Sequence, residues 1–393
     1  MELTSRRRPV RGPAPVLAVD SGGSGVRIAV SPAYGDGPAL TWSSPEPVPV
    51  GDRGVDARVL LDRILPAARE LLCRAGAERF AACCVGAAGM VTLGTDLRAV
   101  LPGALRAELG VRRLALASDS VTAYAGALGQ RPGVVVAAGT GLVALGTGLA
   151  PDGGWRRSDG WGHLLGDCGG GAWIGRAGLE AALRAYDGRA GGSEPLLGRL
   201  EAVFGPAPDL PGALYPRPDR AAVLASFAPE VGRCAAVCPV AAEILRTAAR
   251  HIAEAAAAAC PPAGGDGRTD AGGAGTVGAG ASHGPDGRGN PNGSDDPDGR
   301  GERADGAGPR APVMALTGGL AGIGPPLLLP LRQELRKQLP AVRQVTAAGS
   351  PLDGASRIAA ALVTGRLLLP VDGSLLDVAD GAPSAASPGH TFG

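Results

Sequence analysis

Two glycine-rich stretches decide the fold of this chain: VLAVDSGGSGVRIAV at residues 16–30 and GVVVAAGTGLVALG at residues 133–146. Each consists of an apolar run, a tight glycine turn and a second apolar run, which is the pattern of a β-hairpin. A glycine turn of this kind can point several backbone N–H groups into one small concavity that suits a phosphate. Two such hairpins, the first with Asp20 at its turn, predict a nucleotide phosphate tail held between two similar lobes.

The composition limits how such a tail could be bound. A chain of 393 residues is long enough for two domains, and its net charge of +1 offers no electrostatic case for a nucleic-acid or membrane partner. The only lysine is Lys337, so neither a GxxxxGK[ST] loop nor a kinase-type strand lysine near the N-terminus exists here. A nucleotide would therefore be bound by backbone amides, a metal ion and arginine.

Cysteine usage and hydropathy indicate a cytoplasmic protein. None of the seven cysteines forms a CxxC pair, and the CxxxC pair Cys234 and Cys238 has no partner residues nearby to complete a zinc site. We expect reduced, buried thiols. No apolar run is long enough for a signal-peptide core or a spanning helix.

Apolar periodicity predicts the same order of elements twice along the chain. In the first half, strands are predicted at 16–20, 26–31, 39–43, 80–88 and 113–117, and helices at 55–75, capped by Asp56, and at 101–109. In the second half, strands are predicted at 134–138, 142–148 and 313–316, and helices at 120–128, 173–185, 241–259, 326–338 and 354–367. We interpret this order as a duplicated α/β unit.

The domain limits follow from this order and from composition. We expect an N-terminal lobe at 16–118, a C-terminal lobe at 119–370, a disordered tail at 1–15 and a loose tail at 371–393. The stretch 261–311 is rich in glycine and proline, and its first 50 residues contain no Leu, Ile, Met, Phe, Tyr or Trp. Such a segment cannot bury enough apolar area to offset chain entropy, so we expect a disordered insertion in the second lobe.

Phosphoryl transfer needs a phosphate cradle, a metal ion and a base that orients the accepting hydroxyl. The candidate cradles are the backbone and hydroxyl groups of Ser21, Gly22, Gly23 and Ser24 in the first turn and Gly139, Thr140 and Gly141 in the second. Asp20, at the end of the first strand, is placed to hold Mg²⁺. Gly318 and Gly319 would let the backbone approach an adenine or its ribose.

Asp119 is the candidate general base because it lies where a strand ends and a helix begins. A helix N-cap is an equally good interpretation of the local sequence. The second glycine turn follows about twenty residues later, which favours catalysis.

A third cluster, DGWGHLLGDCGGGAWIG at residues 159–175, has enough glycine to fold tightly around a ligand. Trp161 could stack on a sugar ring, and Asp167 could accept hydrogen bonds from ring hydroxyls. The alternative for Asp167 is again a helix cap. We interpret His163 as a supporting residue and Cys168 as a small packed one.

These motifs resemble the superfamily of sugar kinases, heat-shock ATPases and actin, and within it the family that unites N-acetylglucosamine kinases with BadF/BadG/BcrA/BcrD-type ATPases. The matching stretches are VDSGGSGVRIAV, ASDSVTAYAGALG, GVVVAAGTGLVALG, GWGHLLGDCGGGAWIG, LTGGLAGIGPPLL and DGASRIAAALV. The resemblance implies an α/β fold of two ribonuclease-H-like, actin-like lobes with a central cleft. It also implies a phosphotransferase that uses ATP and Mg²⁺ on an amino sugar such as N-acetylglucosamine, at its 6-hydroxyl.

The resemblance also implies roles for individual residues. Asp119 would be the base, Asp20 the metal-associated aspartate, and residues 139–141 the second phosphate motif. Trp161, Gly162 and Asp167 would belong to the sugar loop.

The chain departs from the family pattern in its polar contacts. Gly25 stands where the first turn usually has a basic residue, and strand alternation turns the nearby Arg27 to a different face from Val26. Leu142 replaces a serine of the second turn. Cys168 and Gly170 replace an acid and a serine of the sugar loop, and the stretch 43–51 lacks the family's asparagine. Because the aspartates remain, we expect catalysis to be retained better than sugar identity.

Two other functions stay open. One is an ATPase that activates a 2-hydroxyacyl-CoA dehydratase through an iron–sulfur cluster, although Cys168 is the only cysteine at a suitable helix start. The other is a catalytically weak sugar sensor. We expect a small-molecule sugar as partner, neither nucleic acid nor membrane, and leave a homodimer open.

Overall fold

The computed structural model describes residues 14–23, 25–35, 37–51, 54–150, 153–262 and 312–380. Ser24, nearly all of the predicted N-terminal tail and nearly all of the predicted insertion lie outside the described residues. Two mixed sheets with flanking helices organise the described part of the chain.

The N-terminal sheet has six strands in the spatial order β13-β7-β6-β1-β2-β3. The strands of this lobe are β1 (Val16–Gly22), β2 (Gly25–Ser31), β3 (Leu40–Ser44), β6 (Ala82–Ala87), β7 (Arg113–Ser118) and β13 (Leu376–Asp380), with the short pair β4 (Val50–Gly51) and β5 (Gly54–Val55) beside them. The first three strands are antiparallel neighbours, whereas β6 runs parallel to β1 and β7 parallel to β6.

The C-terminal sheet repeats this arrangement in the spatial order β10-β9-β8-β11-β12. Its strands are β8 (Gly133–Ala138), β9 (Leu142–Thr147), β10 (Arg156–Asp159), β11 (Val313–Thr317) and β12 (Arg343–Thr346). An antiparallel β8–β9–β10 meander is followed by β11 and β12, which run parallel to β8. Both sheets therefore share the order of a ribonuclease-H-like unit, and the predicted duplication and fold class are confirmed.

Twelve α-helices connect the strands of the described residues. They are α1 (Ala57–Arg74), α2 (Met90–Leu93), α3 (Thr95–Leu109), α4 (Asp119–Leu128), α5 (Gly171–Tyr186), α6 (Glu194–Phe204), α7 (Leu210–Leu214), α8 (Arg220–Ser226), α9 (Ala228–Cys234), α10 (Pro239–Ala259), α11 (Pro325–Gln338) and α12 (Pro351–Thr364), with short 3₁₀ turns at Ala207–Asp209 and Gly319–Ile323. The predicted cap of α1 is confirmed, because Asp56 accepts hydrogen bonds from the amides of Arg58 and Val59.

Helices α4 and α12 join the two lobes. Their backbones touch, since a Cβ placed on Gly354 would lie 1.9 Å from the Thr122 carbonyl oxygen. Helix α12 packs on β1 and β6 of the first sheet, whereas α4 also packs on β8 of the second. One apolar core accordingly contains Val16 of the first sheet, Val135 of the second and the fully buried Tyr124 of α4.

Two predicted limits are wrong in the second half. Helix α12, assigned to the C-terminal lobe, packs on the N-terminal sheet. The tail predicted to be loose from residue 371 contains β13, which pairs antiparallel with β7. A five-residue strand carries little local signal, and its stability comes from edge pairing and from the burial of Leu375 and Leu376. Residues 381–393 of that tail lie outside the described residues.

No single helix of the described ranges is long and apolar enough to cross a membrane. The bent pair Arg220–Cys234 and Pro239–Ala259 meets the length and composition condition together, across a bend of 119°.

Candidate active site

A cavity of about 1150 Å³ lies between the two lobes. The turn of the β1–β2 hairpin (the first glycine turn, residues 21–25) and that of the β8–β9 hairpin (the second glycine turn, residues 139–141) both contribute to its walls. Because β1, β7, β8 and β11 all end at this cavity, the residues that follow or close those strands meet there.

The structure brings most of the predicted site residues together. Those that line the cavity are Asp20, Gly22, Gly23, Asp119, Gly139, Thr140, Gly141, Gly162, Asp167, Gly318 and Gly319. Ser21 does not line it, because it is buried in β1 between Val26 and Ala87. Trp161 does not line it either, and its side chain is 68% exposed.

An ion pair between a buried aspartate and a partly exposed arginine flanks the first glycine turn. The register of β1 and β2 sets Asp20 opposite Arg27, and Nη1 of Arg27 donates to Oδ2 of Asp20 at 3.0 Å. Burial raises the pKa of the Asp20 carboxyl, and the charge and hydrogen bond of Arg27 oppose that rise. As strand alternation predicted, Arg27 lies on a different face of β2 from Val26. Because cross-strand partners share a face of the sheet, Arg27 lies on the same face as Asp20, and both residues line the cavity. The hairpin register was the signal that could have revealed it.

The residues present fit a magnesium ion that arrives with a nucleotide. The described ranges contain no group of three or more His, Cys, Asp or Glu that could bind a metal ion by itself. Mg²⁺ usually takes only one or two carboxylates and fills its remaining positions with phosphate oxygens and water. Asp20 accepts from Arg27 through Oδ2, and it lines the cavity in which such an ion would bind.

Asp119 is the first residue of α4 and does not cap it. The cap is Ser118, whose Oγ accepts from the Val121 amide at 3.3 Å. The Asp119 carboxylate is exposed to the water of the cleft, and its Oδ1 accepts from the Ser120 amide at 2.9 Å.

The environment of Asp119 suits a proton acceptor. Desolvation between the cleft walls raises the pKa of Asp119 to about 6. The hydrogen bond from the Ser120 amide and the charge of Arg157 oppose this shift, and the charge of Asp20 adds to it. A carboxylate with a pKa near 6 is ionised at pH 7 and is a better base than an ordinary aspartate.

Asp159 organises the glycine-rich loop (residues 159–171). Its Oδ1 accepts from the amides of Gly160 and Asp167 at 2.8 and 2.7 Å, and its Oδ2 accepts from the Cys168 amide at 2.9 Å. Sequence reasoning missed this role, since nothing in the spacing distinguishes Asp159 from Asp167. The shape of the loop is therefore fixed by hydrogen bonds within the protein.

Asp167 connects this loop to the second glycine turn. Its Oδ1 accepts from the Gly162 amide at 3.0 Å, and it also accepts a backbone hydrogen bond from Leu142. A Cβ on Gly141 would lie 2.3 Å from Oδ2 of Asp167, so any larger residue there would displace this carboxylate. Burial raises the pKa of Asp167, and the two backbone hydrogen bonds oppose the rise. The cap of α5 is Gly170, so the helix-cap interpretation of Asp167 is wrong.

Arg157, on β10 of the second lobe, adds a second cation to the cavity wall. Its Nε donates to the Asp159 carbonyl at 3.1 Å and its Nη2 to the Gly160 carbonyl at 2.5 Å. The guanidinium carbon lies 5.2 Å from the centroid of the Trp161 ring. Trp161 thus packs on Arg157 outside the cavity. No sequence pattern pointed to Arg157, because it lies on a short strand before the loop.

The far end of the cavity suits a flat, apolar group. A Cβ on Gly318, where φ is +99°, would lie 2.3 Å from the Ala138 carbonyl oxygen, whereas Gly319 faces open space. The neighbouring wall is mainly apolar and, besides Ser226, includes Ala222, Ala225, Ala228, Pro229, Leu320 and Ile323. This surface lies beyond the second glycine turn, where the base of a bound nucleotide could pack.

Two lobes of one strand order, each with a glycine hairpin facing the same cleft, define the actin-like ATPase class of fold. Within that class, the chain belongs to the BadF/BadG/BcrA/BcrD ATPase family, whose sequence profile matches residues 17–270.

The similar proteins include sugar kinases. The N-acetylmuramic acid/N-acetylglucosamine kinase of Clostridium acetobutylicum is 28% identical over 174 residues, which are 44% of this chain and 55% of that protein. The match thus spans about half of that relative's length. A Chromobacterium violaceum structure described as a candidate N-acetylglucosamine kinase is 25% identical, with a TM-score of 0.55 and coverage of 89% of this chain and 99% of that one. A Porphyromonas gingivalis structure of the same description has a TM-score of 0.55 at 14% identity, with coverage of 88% and 98%, and shows the fold alone.

Proposed function

We propose that this protein is an ATP-dependent sugar kinase that phosphorylates a hydroxyl, the 6-hydroxyl, of an amino sugar such as N-acetylglucosamine. The observation that carries the proposal is the position of Asp119: a carboxylate with a pKa of about 6 at the cavity between two glycine turns. The names of the Clostridium and Chromobacterium relatives support an amino sugar as the acceptor.

The nucleotide would lie along the second lobe. Backbone amides of the two glycine turns would receive the phosphates, and the apolar wall beyond Gly319 would receive the base. Mg²⁺, bound through Asp20, would supply neutralisation of the phosphate charge. Arg27 and Arg157 would contribute the fixed positive charge that a lysine supplies in a P-loop protein.

The chemical step would need one proton acceptor. As the sugar oxygen forms its bond to the γ-phosphorus, the bond from that phosphorus to the leaving oxygen of ADP breaks, and the Asp119 carboxylate takes the hydroxyl proton. Asp119 can accept this proton because it is ionised at neutral pH and faces the cleft.

The sugar would bind where the glycine-rich loop meets the cavity. Gly162 and Asp167 line that end, but the Asp167 carboxylate already accepts two backbone hydrogen bonds. Asp167 would therefore contribute mainly by shaping the loop, with its remaining acceptor capacity for ring hydroxyls. Trp161 would border the sugar from outside the cavity.

A coupled ADP-release screen over amino sugars and neutral hexoses, with Mg²⁺ and ATP, tests the proposal. We expect ADP release that depends on an added amino sugar, with N-acetylglucosamine among the best acceptors. Phosphate-ester position in the product, read by ³¹P–¹H correlation NMR, tests the 6-hydroxyl. ADP release at one background rate across the whole panel would contradict a kinase of sugars.

A further inference from the structure

The segment after α12 returns to the N-terminal lobe and reaches the cavity. Leu375 lines the cavity together with Ser118 and Asp119, and its side chain is buried. The next residue, Leu376, begins β13 and pairs with Ala117 of β7. The chain after residue 370 thus contributes to the wall beside the candidate base.

Asp372 folds this segment into a closed turn. Its Oδ1 accepts from the amides of Ser374, Leu375 and Leu376 at 2.9, 2.7 and 3.1 Å. The amides of Asp372 and Gly373 donate in return to the Leu376 carbonyl at 3.1 and 3.0 Å. One carboxylate that accepts three backbone amides fixes the course of the chain through Leu375. We call residues 372–376 the C-terminal turn.

The C-terminal turn is anchored from both lobes. Nη2 of Arg98, on α3, donates to the Ser374 carbonyl at 2.6 Å. Just before the turn, Nε1 of Trp155, next to β10 of the second lobe, donates to the Pro370 carbonyl at 2.8 Å. These contacts leave the turn little freedom to move relative to the cavity.

A backbone hydrogen bond connects the turn to the start of α4. The Leu375 carbonyl accepts from the Ser118 amide at 2.7 Å. Ser118 is the cap of α4, and its Oγ also lies 2.8 Å from Oγ of Ser120. Asp119 lies between these two serines, so the position of the Ser118 backbone sets where its carboxylate points.

We propose that the C-terminal turn is a positioning element of the active site, in which Asp372 orients the Leu375 carbonyl toward the Ser118 amide and so fixes Asp119 for proton transfer. The proposal rests on the proposed function of Asp119 as base. Asp372 touches no reacting group, and it acts through Leu375 and Ser118. Fixed geometry matters here because a misplaced base loses rate steeply with distance.

Asp372→Ala in the full-length chain tests the proposal. The side chain of Asp372 is exposed, so the variant should fold. We expect kcat to fall on the order of tenfold or more with little change in KM for ATP. Asp372→Asn should restore most of the activity, because its amide oxygen can still accept the three backbone hydrogen bonds.

Two further readouts separate positioning from a general loss of stability. In Asp372→Ala, the Ser118 amide should exchange with deuterium faster, since its acceptor is no longer fixed. The acid limb of the rate profile should move to lower pH, because a loosened Asp119 is better solvated and lies differently between Asp20 of β1 and Arg157 of β10.

Asp377→Ala is the matched control, because Asp377 lies on β13 next to the turn and its side chain makes no hydrogen bond or ion pair within the described ranges. It should leave kcat and Ser118 exchange unchanged. A lower melting temperature in Asp372→Ala with normal kcat, pH profile and Ser118 exchange would overturn the proposal. Ser118 exchange does not depend on catalysis, so the turn can be tested even if the screen finds no sugar acceptor.

Discussion

The two glycine hairpins share a pattern but present different surfaces to the cleft. An ion pair of Asp20 with Arg27 flanks the first turn, and Gly22 and Gly23 face open space. The second turn has no ionisable residue of its own and is tightly packed, because Gly141 touches Asp167. One motif used twice therefore supplies charge on one side of the cleft and a rigid cradle on the other.

The packing of the second turn comes from α5 and from the loop before it. The Gly171 amide donates to the Gly139 carbonyl, and the Ala172 amide donates to the Thr140 carbonyl, both at 2.8 Å. Among the described residues, no helix-start amide donates to a carbonyl of the first turn. We infer that the second hairpin sets the position of the phosphates and that the first adapts to them with its charges.

The largest expected effect lies between the hairpins. Asp119→Asn should lower kcat by about 10²–10⁴-fold, because the base is lost while the shape is kept. Nucleotide binding, which the account assigns to the hairpins, should stay near the wild-type value in calorimetry. Asp62→Asn, on the exposed face of α1, is the matched control. Wild-type turnover in Asp119→Asn would remove Asp119 from the mechanism.

The next effect compares the glycines themselves. Gly141→Ala should lower the melting temperature and abolish most of the activity, since the new Cβ would lie 2.3 Å from the Asp167 carboxylate. Overpacking of this kind costs about 1–3 kcal/mol. Gly22→Ala should keep the wild-type melting temperature, because a Cβ there meets nothing within 4 Å. Thermal unfolding of the pair checks this, and equal destabilisation by both would contradict the contrast between the turns.

The charge assigned to the first hairpin gives the third prediction. Arg27→Gln should raise KM for ATP about tenfold, because it removes about the free energy that one hydrogen bond to a charged group contributes to binding. KM for the sugar should stay nearly unchanged. Arg58→Gln, on the exposed surface of α1, is the control. Equal increases in both KM values would show that Arg27 acts on the whole cleft and not on the nucleotide.

The smallest effect at neutral pH concerns ionisation of the base. Because the pKa of Asp119 is raised to about 6, the carboxylate is protonated below that pH and cannot accept a proton. We expect kcat/KM to be flat above about pH 7 and to fall tenfold for each pH unit well below 6. A rate profile that stays flat down to pH 4.5 would indicate that no group with this pKa limits the reaction.

Local pattern was enough to predict both hairpins, because apolar alternation and a glycine turn are encoded within about fifteen residues. It was also enough for Asp56, whose capping bonds reach only the next turn of helix. Asp20 and Asp119 could be placed at one cleft because Asp20 lies near the end of β1 and Asp119 directly follows β7.

What could not be predicted depends on contacts between distant residues. Arg27 needed the β1–β2 register, and Asp159 differs from other aspartates only through three amides that the folded loop brings to it. Strand β13 pairs with β7, which lies more than 250 residues earlier in the chain, as the pair Leu376 and Ala117 shows. Helices α6 to α9 are short, and all but α8 contain both proline and glycine, so their periodicity is weak.

Titration calorimetry of the purified protein with ADP and ATP, with and without Mg²⁺, tests the central claim most directly. We expect one nucleotide to bind per chain, more tightly when Mg²⁺ is present and more weakly in Gly141→Ala. A protein that folds normally and takes up neither nucleotide with Mg²⁺ present would contradict it.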